Sequence, residues 1–461
     1  AIICNTMEII RAISRTIVDG GLSCKNRWNY DTAQRYFFLP LPLQKPKMKL
    51  IYNLGIFVYS AVAYLISPFN HKARLMIRGR KETFGIVRNK LNRNDNYIWV
   101  HCASLGEFEQ GRPVIESIRK EMPEKRIILT FFSPSGYEIR KNYPLADIVC
   151  YLPSDTPGNA EKFVNLIKPE LVIFVKYEFW HNYITAVSKR GIPLLLISAI
   201  FREEQPFFRW YGNFFRKILK KFSHVFVQDE KSAELLGKIG IGNVTVAGDT
   251  RFDRVLEIST AAKSIPQIES FRGNERLFLA GSSWRPDEEI ISRYINEFPD
   301  RMKWVFAPHE IDKENVERII ELFKAKCVRF SEYSEEKKDA RVMIIDNIGM
   351  LSSAYRYAFI AAIGGGFGKG IHNILEPACW GIPVLFGPNH TKFREAADLI
   401  SLGGAKSFRN FNEFRSILEA LVSDEKLYEE SAREAGKYVR ENAGATRKII
   451  GWITGEDINI H

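Results

Sequence analysis

The sequence lacks the short motifs that assign a chain at once to several common classes. It contains no CxxC pair, and its six cysteines are scattered over 461 residues without a zinc-like cluster. This usage is typical of a reduced, cytosolic protein in which cysteines are small buried apolar residues. There is no GxxxxGK[ST] sequence, so a P-loop is excluded. No short-period repeat or low-complexity tract is evident, which argues against a solenoid.

Charge is absent from one stretch near the start. Residues 50–70 contain no charged side chain, and the stretch is roughly as long as a helix that crosses a bilayer. No small-residue cleavage site follows, so a signal peptide is not indicated. The stretch predicts a membrane anchor or interfacial helix, with a buried core helix as the alternative. The basic residues that come next place the following chain on the cytoplasmic side: Lys72, Arg74, Arg78, Arg80 and Lys81.

The overall composition is that of a globular protein with a basic surface. Hydrophobic residues make up 46% and charged residues 26% of the chain, and its length is sufficient for two sizeable α/β domains. The net charge of +12 favours an anionic partner such as nucleic acid, an acidic membrane surface or a phosphorylated substrate. Residues 1–47 show no steady periodicity. We expect them to be a poorly structured upstream extension, with Met48 as a candidate start.

Short β-rich runs alternate with helical segments from about residue 95 onward, which is typical of βαβ units in a parallel sheet. A polar link near 255–275 separates two series of runs. We therefore predict an α/β fold of the GT-B type, with two Rossmann-like doubly wound domains facing a cleft. The predicted segments are a membrane-associated part at 48–94 and domains at 95–255 and 256–461, the last helix (about 424–442) packing back on the first domain. The predicted strands are 97–101, 126–131, 148–151, 171–175, 193–198, 224–227, 244–247, 277–280, 303–306, 327–330, 342–345, 358–363 and 383–386.

Glu107 is the first candidate catalytic residue. It stands in the small-residue turn His101-Cys-Ala-Ser-Leu-Gly-Glu107, directly after a buried apolar run. Ligands of doubly wound sheets gather at the carboxyl ends of the strands, where a carboxylate can accept a proton from a substrate hydroxyl. The alternative is that Glu107 only favours the start of the following helix through the helix dipole.

A glycine-rich stretch in the second half predicts a nucleotide site. Gly364-Gly-Gly-Phe-Gly-Lys-Gly370 follows an apolar run, and we expect a helix to begin near His372-Asn373. Glycines allow backbone N–H groups to approach a phosphate, and a helix start adds positive potential. Glu376, one turn into this helix, could accept hydrogen bonds from a ribose. A purely structural glycine turn is the alternative.

Three other polar stretches follow predicted strands: Lys176-Tyr-Glu-Phe-Trp-His-Asn182, Gly281-Ser-Ser-Trp-Arg285 and Ala307-Pro-His-Glu310. Each could be a simple cap or turn, but their shared position favours a site.

The stretch from Phe201 to Lys221 mixes aromatic and basic residues. It suits an anionic membrane surface, or base stacking with nucleic acid, or a packed amphipathic helix with a solvated basic face. The apolar residues 50–69 favour lipid.

These motifs together resemble the 3-deoxy-D-manno-octulosonic acid (Kdo) transferases of lipopolysaccharide synthesis. The resemblance runs from about Met48 to the end. It is carried most specifically by the Ala-Ser-Leu-Gly-Glu turn at 103–107, Glu178-Phe-Trp180, Gly248-Asp-Thr-Arg-Phe-Asp253 and the stretch from Gly364 to Pro377.

The resemblance implies a GT-B fold, CMP-Kdo as donor, a lipid A precursor as acceptor, the cytoplasmic side of the inner membrane as location, and neither a metal nor another cofactor. It implies that Glu107 is the general base of an inverting transfer. The residues expected to bind the donor are Ser283, His309, Gly365, Gly366, His372, Asn373 and Glu376, and those expected to bind the acceptor are Lys176, Glu178 and Arg202. The chain departs from the family pattern at Lys176, where an acidic residue is common, and at His309-Glu310, where Arg-His is usual.

Three other functions are compatible with parts of the sequence. Another GT-B enzyme, such as a nucleotide-sugar epimerase, would not need the apolar segment or the basic aromatic stretch. A membrane-bound nucleotide-sugar binder would bind CMP-Kdo without turning it over. A nucleic-acid binder is least favoured, because no known binding motif is present.

Overall fold

The computed structural model describes residues 46–456, with side chains from residue 48 onward. The expectation of an unstructured extension at 1–47 therefore falls almost wholly outside the described residues. The chain divides into two compact units, residues 46–250 with 444–456, and residues 251–443. The boundary lies near residue 250, and the final segment belongs to the first unit.

The first unit contains one parallel sheet of seven strands in the order β3-β2-β1-β4-β5-β6-β7. A 3₁₀ turn at Pro206–Phe208 precedes α7. The elements are α1 (Pro46–Ile66), α2 (His71–Lys90), β1 (Tyr97–Cys102), α3 (Leu105–Glu121), β2 (Arg126–Phe131), α4 (Pro134–Arg140), β3 (Ile148–Tyr151), α5 (Pro157–Ile167), β4 (Leu171–Val175), α6 (His181–Ser188), β5 (Leu194–Ala199), α7 (Asn213–Leu219), β6 (His224–Val227), α8 (Glu230–Lys238) and β7 (Val244–Val246).

The central strands of this sheet are buried on both faces, which explains their continuous apolar sequences. All six residues of β1 are buried. Trp99 contributes to a core with α1, α2, α5 and α6, whereas Ile98 and Val100 contribute to a second core with α3 on the opposite face. This alternation follows from the two-residue repeat of a strand.

Two helices precede the sheet. Pro68 and the Asn70 cap separate them, because proline cannot continue a helix and the Asn70 side chain accepts a hydrogen bond from the N–H of Ala73 at 2.9 Å. α1 contains the stretch Met48–Ile66, which has a mean hydropathy of 1.5 and is long and apolar enough to cross a membrane.

The second unit contains another parallel sheet of seven strands, in the order β10-β11-β9-β8-β12-β13-β14. Its elements, with the helix that enters it and the helix that follows it, are α9 (Thr250–Ala261), α10 (Pro266–Arg272), β8 (Leu277–Ser283), α11 (Arg285–Glu297), β9 (Lys303–Pro308), α12 (Lys313–Glu321), β10 (Cys327–Arg329), β11 (Val342–Ile344), α13 (Leu351–Ala354), β12 (Ile360–Ile363), α14 (Leu375–Ala378), β13 (Val384–Phe386), α15 (Arg394–Leu402), β14 (Ala405–Ser407), α16 (Phe411–Ser423), α17 (Glu425–Glu441) and α18 (Ala445–Thr454). Four 3₁₀ turns complete it, at Pro299–Arg301, Phe330–Glu332, Glu335–Lys337 and Tyr355–Tyr357.

Three details of the sequence prediction are wrong. The edge strand β14 was missed, because its sequence Ala-Lys-Ser contains a single apolar residue. The helix at Glu425–Glu441 is not the last one: α18 follows it and packs on α3 of the first unit. The helix expected from His372 begins only at Leu375 and has four residues. Its dipole is therefore that of a single turn, and it adds little positive potential.

Candidate functional site

The carboxyl ends of β1 and β4 meet where the winding of the first sheet changes direction. β1 pairs with β2 on one side and with β4 on the other. Connections leave these two strands in opposite directions, and the resulting crevice is where doubly wound sheets bind ligands. Glu107 lies in the first turn of α3, directly after β1, whereas Lys176 and Glu178 directly follow β4. These three predicted residues interact electrostatically.

Glu107 has one oxygen bound within the protein and one that is open. Oε2 accepts a hydrogen bond from the backbone N–H of Ala103. This contact fits the alternative interpretation, in which Glu107 favours the start of the following helix. Among the described residues, none donates a hydrogen bond to Oε1. The side chain is half-buried. Burial, together with the negative charge of Glu178, raises the pKa of Glu107 to about 8. A carboxyl group with this pKa is suited to proton transfer near neutral pH.

Glu178 belongs to a buried polar cluster with His101 and Trp180. Oε2 of Glu178 lies 2.9 Å from Nε2 of His101, and Nε1 of Trp180 donates to the same oxygen. Nδ1 of His101 lies 2.9 Å from Oγ1 of Thr130. Burial lowers the pKa of His101 to about 4, so the ring is neutral at pH 7 and carries one proton.

Both ring nitrogens of His101 have further contacts: Nδ1 lies 3.2 Å from the carbonyl oxygen of Thr130, and Nε2 lies 3.2 Å from Nε1 of Trp180. Oγ1 of Thr130 accepts from Nε1 of Trp99 at 2.8 Å. Its own proton can then be donated to Nδ1 of His101 at 2.9 Å, a shorter contact than the 3.4 Å to the carbonyl of Val100. The Glu178 carboxylate thus lies against Nε2 of His101 and the N–H of Trp180, and its negative charge acts on Glu107.

Strained backbone marks the strand ends of both units. Lys176 follows β4 with a φ of +61°, and Ser282 lies near the end of β8 with a φ of +49°. Left-handed conformations of non-glycine residues are uncommon and are concentrated at functional sites. Both residues lie beside the crossover points of their sheets, where ligands are expected.

Arg202 does not join the Glu107 group. It follows β5, its side chain is exposed, and it makes no side-chain hydrogen bond or ion pair within residues 46–456. The surrounding aromatic stretch is mostly core, as the packing alternative proposed: Phe207 and Phe215 are buried, whereas Trp210 is 84% exposed and Tyr211 is 38% exposed. A pair of exposed rings beside basic residues remains on the surface.

The corresponding point of the second unit lies between β8 and β12, which are neighbours in the sheet. A Cβ atom on Gly364 would lie 2.1 Å from the carbonyl oxygen of Ser282, and one on Gly366 would lie 2.6 Å from the amide nitrogen of Gly387. Gly365 has a φ of +90°. The glycines are therefore required by close backbone packing, and the structural alternative accounts for much of the motif.

Asp287 occupies part of the expected phosphate position. One of its carboxylate oxygens accepts hydrogen bonds from the N–H groups of Trp284 at 3.0 Å and Gly365 at 3.2 Å. Burial raises the pKa of Asp287 to about 6. Sequence analysis missed this residue, whose only signal was its position as an acidic residue in the first turn of α11. The N–H of Gly365 is thus already bound within the protein.

Ser283 also has a partner within the protein. It is buried, and its hydroxyl donates to Oε1 of Glu288 at 2.8 Å; the other oxygen of Glu288 accepts from Arg318. Ser283 therefore fixes the end of β8 in this structure.

Three aromatic rings stack at the same edge. The ring centroids of Trp284 and His309 are 4.6 Å apart, and those of His309 and His372 are also 4.6 Å apart. Nε1 of Trp284 donates to Nε2 of His372 at 2.9 Å. Burial and the charge of His309 lower the pKa of His372. Because His309 and Trp284 are exposed, the stack offers a flat surface and imidazole nitrogens to a ligand.

Glu376 and Asn373 orient each other beside this stack. Oε1 of Glu376 accepts from Nδ2 of Asn373 at 3.1 Å, and Oε2 accepts from the hydroxyl of Ser352 at 2.7 Å. Glu376 is thus held in a fixed, half-buried position. Within residues 46–456, no group of three or more His, Cys, Asp or Glu side chains is arranged to hold a metal ion.

α1 has one face docked on the first unit and one apolar face exposed. The hydroxyl of Tyr52 donates to Asp155, and Nδ2 of Asn182 donates to Oδ1 of Asn53 at 3.0 Å. The opposite face exposes large apolar side chains: Leu50, Ile51, Leu54, Phe57, Val58, Tyr64 and Leu65.

The fold resembles those of solved nucleotide-sugar epimerases. A UDP-GlcNAc 2-epimerase from Neisseria meningitidis, bound to UDP-GlcNAc, superposes with a TM-score of 0.53 at 18% identity, covering 78% of this chain and 100% of that one. Another UDP-N-acetylglucosamine 2-epimerase gives a TM-score of 0.51 at 15% identity, covering 79% and 98%. Such likenesses concern the fold alone. With the two parallel sheets, they confirm the predicted α/β fold of two Rossmann-like units, of the GT-B type.

The sequence comparisons concern the family. Residues 78–254 match the family model described as 3-Deoxy-D-manno-octulosonic-acid transferase (kdotransferase). The 3-deoxy-D-manno-octulosonic acid transferase of Aquifex aeolicus is 30% identical over 346 residues, which are 73% of this chain and 90% of that protein. The transferases of Rickettsia bellii and Haemophilus influenzae are 28% and 24% identical, covering 82% and 80% of this chain and 92% and 89% of theirs. The predicted resemblance is confirmed: this chain belongs to the 3-deoxy-D-manno-octulosonic acid (Kdo) transferase family and is a glycosyltransferase.

Proposed function

We propose that this protein transfers Kdo from CMP-Kdo to a lipid A precursor, with inversion at the anomeric carbon and without a metal ion. The observation that carries the proposal is Glu107. It combines an open carboxylate oxygen, a pKa raised to about 8 and a position at the crossover point of the sheet in a chain of the Kdo transferase family.

The chemical step requires one proton acceptor. Glu107 removes the proton from a hydroxyl group of the acceptor, and the oxygen forms a bond to the anomeric carbon of Kdo. The bond from that carbon to the phosphate oxygen of CMP breaks, and CMP leaves with the electron pair. The transition state has oxocarbenium character, as in other glycosyl transfers. Because the CMP phosphate is a stable anion, no strong general acid is needed.

The second unit supplies the donor site in this proposal. His309 and His372 offer imidazole nitrogens to the phosphate, and the exposed face of Trp284 suits stacking of an aromatic base. Glu376, held by Asn373 and Ser352, is placed to accept hydrogen bonds from a ribose. Ser283, Gly365 and Gly366 shape the loops around the ligand. The short helix at Leu375–Ala378 contributes less than a full helix start would.

α1 supports binding at a membrane surface. Because Tyr52 and Asn53 bind the folded unit through their side chains, we infer that α1 lies in the plane of the interface with its apolar face in the lipid. Basic residues on α2, including Lys72, Arg74 and Arg78, are exposed and favour anionic headgroups. We infer that the protein acts at the cytoplasmic face of the inner membrane, next to a lipid acceptor.

The test is transfer by Glu107→Gln. With CMP-Kdo and a lipid A precursor, mass spectrometry of the wild-type product should show added Kdo, also in the presence of EDTA. The variant should lose about 10²–10⁴-fold in kcat, because an amide cannot accept the proton.

Glu109→Gln is the matched control, since Glu109 is on the same helix but pairs with Arg140 at 2.8 Å. It should retain near-normal turnover. Equal activities of wild type and folded Glu107→Gln would refute the assigned base, whereas binding of CMP-Kdo without any product would indicate a non-catalytic binder.

A further inference from the structure

Arg80 is a buried cation without a counter-ion. It lies on α2, its side chain is 9% exposed, and among residues 46–456 no carboxylate forms an ion pair with it. Nη1 lies 3.5 Å from Oγ of Ser154 and Nη2 lies 3.5 Å from the carbonyl oxygen of Phe132. Nε has no partner. A guanidinium has five N–H donors; these two contacts are both at the outer limit of a hydrogen bond, and the Tyr59 hydroxyl is a further side-chain partner of Arg80.

Such an arrangement is costly for a structural residue. Burial lowers the pKa of Arg80, which shows that the site disfavours the positive charge. Buried charges in proteins are normally paired and fully hydrogen-bonded. Two half-buried arginines of this unit follow that rule: Arg119 pairs with Asp147 at 2.6 Å and Arg112 pairs with Glu116 at 2.8 Å. Arg216 has no carboxylate partner among the described residues, but it donates to the carbonyls of Phe207 and Arg209 at 3.0 and 3.1 Å, whereas both contacts of Arg80 measure 3.5 Å.

The position of Arg80 connects it to the candidate catalytic edge. Its guanidinium carbon lies 4.5 Å from the ring centroid of Phe132, which follows β2. The Phe132 ring stacks on Trp180 at 4.8 Å, and Trp180 in turn donates to Glu178. The charge of Arg80 also lowers the pKa of His101. The stacked rings of Phe132 and Trp180 thus lie between Arg80 and the Glu178 carboxylate.

The surroundings are shaped to hold the guanidinium at this edge. Gly79 lets α2 lie directly on the ring of Tyr151, at the end of β3, since a Cβ atom there would be 2.3 Å from ring carbons. The hydroxyl of Ser154, half-buried after β3, is a further polar group near the guanidinium, 3.3 Å from Oγ of Ser60. Serine hydroxyls and a guanidinium fork are suited to an oxyanion.

We propose that Arg80 and Ser154 form a subsite for an oxyanion of the substrate, either a phosphate of the lipid acceptor or the carboxylate of Kdo. The proposal rests on the proposed function. The anionic group of the substrate would supply the negative charge that pairs with Arg80, and it would fix the substrate relative to Glu107. Arg80 is then a specificity-determining residue, because a substrate without the anion leaves the guanidinium buried and unpaired.

The first experiment uses inorganic phosphate as the probe. With saturating CMP present to occupy the donor site, phosphate should raise the Tm of the wild type by about 2 °C relative to chloride at equal ionic strength. Arg80→Gln and Arg80→Lys should lose most of this shift, since a lysine lacks the planar fork. Arg88→Gln is the matched control: Arg88 is on the same helix and its side chain is exposed, so the shift should persist. An equal shift in wild type and both Arg80 variants would overturn the proposal.

The second experiment identifies the source of the anion and needs no variant of Arg80. Wild-type KM values are measured with a phosphorylated and a dephosphorylated acceptor, and with CMP-Kdo and its carboxamide analogue. Loss of the recognised anion should raise the corresponding KM at least tenfold, and Arg80→Gln, where it folds, should be insensitive to that loss. If neither change affects KM, the subsite is refuted. Stabilisation of the protein by CMP alone measures binding at the donor site. A failure of the proposed function can therefore be distinguished from a failure of the Arg80 subsite.

Discussion

Glu107, the proposed base, has a pKa in a range where its protonation would control the proposed reaction. Its pKa is raised to about 8 by burial and by Glu178, and a general base acts only when it is deprotonated. We expect kcat/KM to increase as the pH rises through about 8 and to decrease about tenfold per pH unit well below it. The measurement is a pH profile of Kdo transfer between pH 6 and 9. A flat profile over this range would contradict the assignment.

After burial, the negative charge of Glu178 contributes most to raising the pKa of Glu107. In Glu178→Gln the amide keeps the shape and can still bond to His101 and Trp180, but the negative charge is gone. The pKa of Glu107 should therefore decrease, and the rising limb of the pH profile should move to lower pH. Glu109→Gln should leave the limb in place. An unchanged limb in Glu178→Gln would show that burial alone raises the pKa.

The sequence predicted some residues of the site and not their partners. Glu107 could be found because a buried strand, a small-residue turn and a helix start are local patterns. His101 was inside the same quoted stretch, yet its bond to Glu178 joins residues 77 positions apart, and nothing local indicates such a bond. Asp287 was missed for the same reason, since its acceptor role depends on the N–H of a distant glycine loop.

At the scale of elements, α1 is held by a buried carboxylate. Asp155 accepts hydrogen bonds from Tyr52, from the N–H of Asn182 at 3.1 Å and from the N–H of Tyr183 at 3.0 Å. Burial nevertheless raises the pKa of Asp155 from 3.8 to about 6.

This shift predicts a pH dependence of stability. Because the folded state binds the proton of Asp155 more tightly than the unfolded state, its contribution to the free energy of unfolding decreases as the pH rises from about 4 to about 6. The decrease is up to about 3 kcal/mol. Denaturant unfolding at pH 4.5 and pH 7 should show this decrease in the wild type relative to Asp155→Asn, which does not titrate. A constant difference between the two proteins would contradict the shift.

Elements with apolar sequences were predicted well, even when short, and an element with little apolar sequence was not. The buried strand Tyr97–Cys102 was recognisable from its continuous apolar sequence. The strand Ala405–Ser407 has three residues, of which only Ala405 is buried, so it carries almost no hydrophobic signal. The helix expected at His372 begins only at Leu375, because the N–H of His372 donates to the carbonyl of Gly364 at 3.1 Å and keeps this part of the chain in the glycine loop.

At the scale of the molecule, the exposed face of α1 should govern membrane binding. Phe57 is 67% exposed on this face. Phe57→Asp should reduce cosedimentation with vesicles that contain anionic lipid about tenfold or more, because it removes an apolar anchor and adds a repelled charge. Ile348→Asp is the matched control, since Ile348 is 88% exposed but lies in the second unit. Equal losses in both variants would indicate that α1 is not the binding surface.

The return of α18 to the first unit has a consequence for synthesis of the protein. Residues 251–443 are contiguous and leave the ribosome as one block, whereas the unit carrying Glu107 needs Ile449 and Ile450, which pack with α3. α1 emerges early and can meet lipid while translation continues. We expect that the sheet next to Glu107 reaches its mature packing only after residues 251–443 have been translated, so that nascent chains attach to the bilayer before they become competent for turnover.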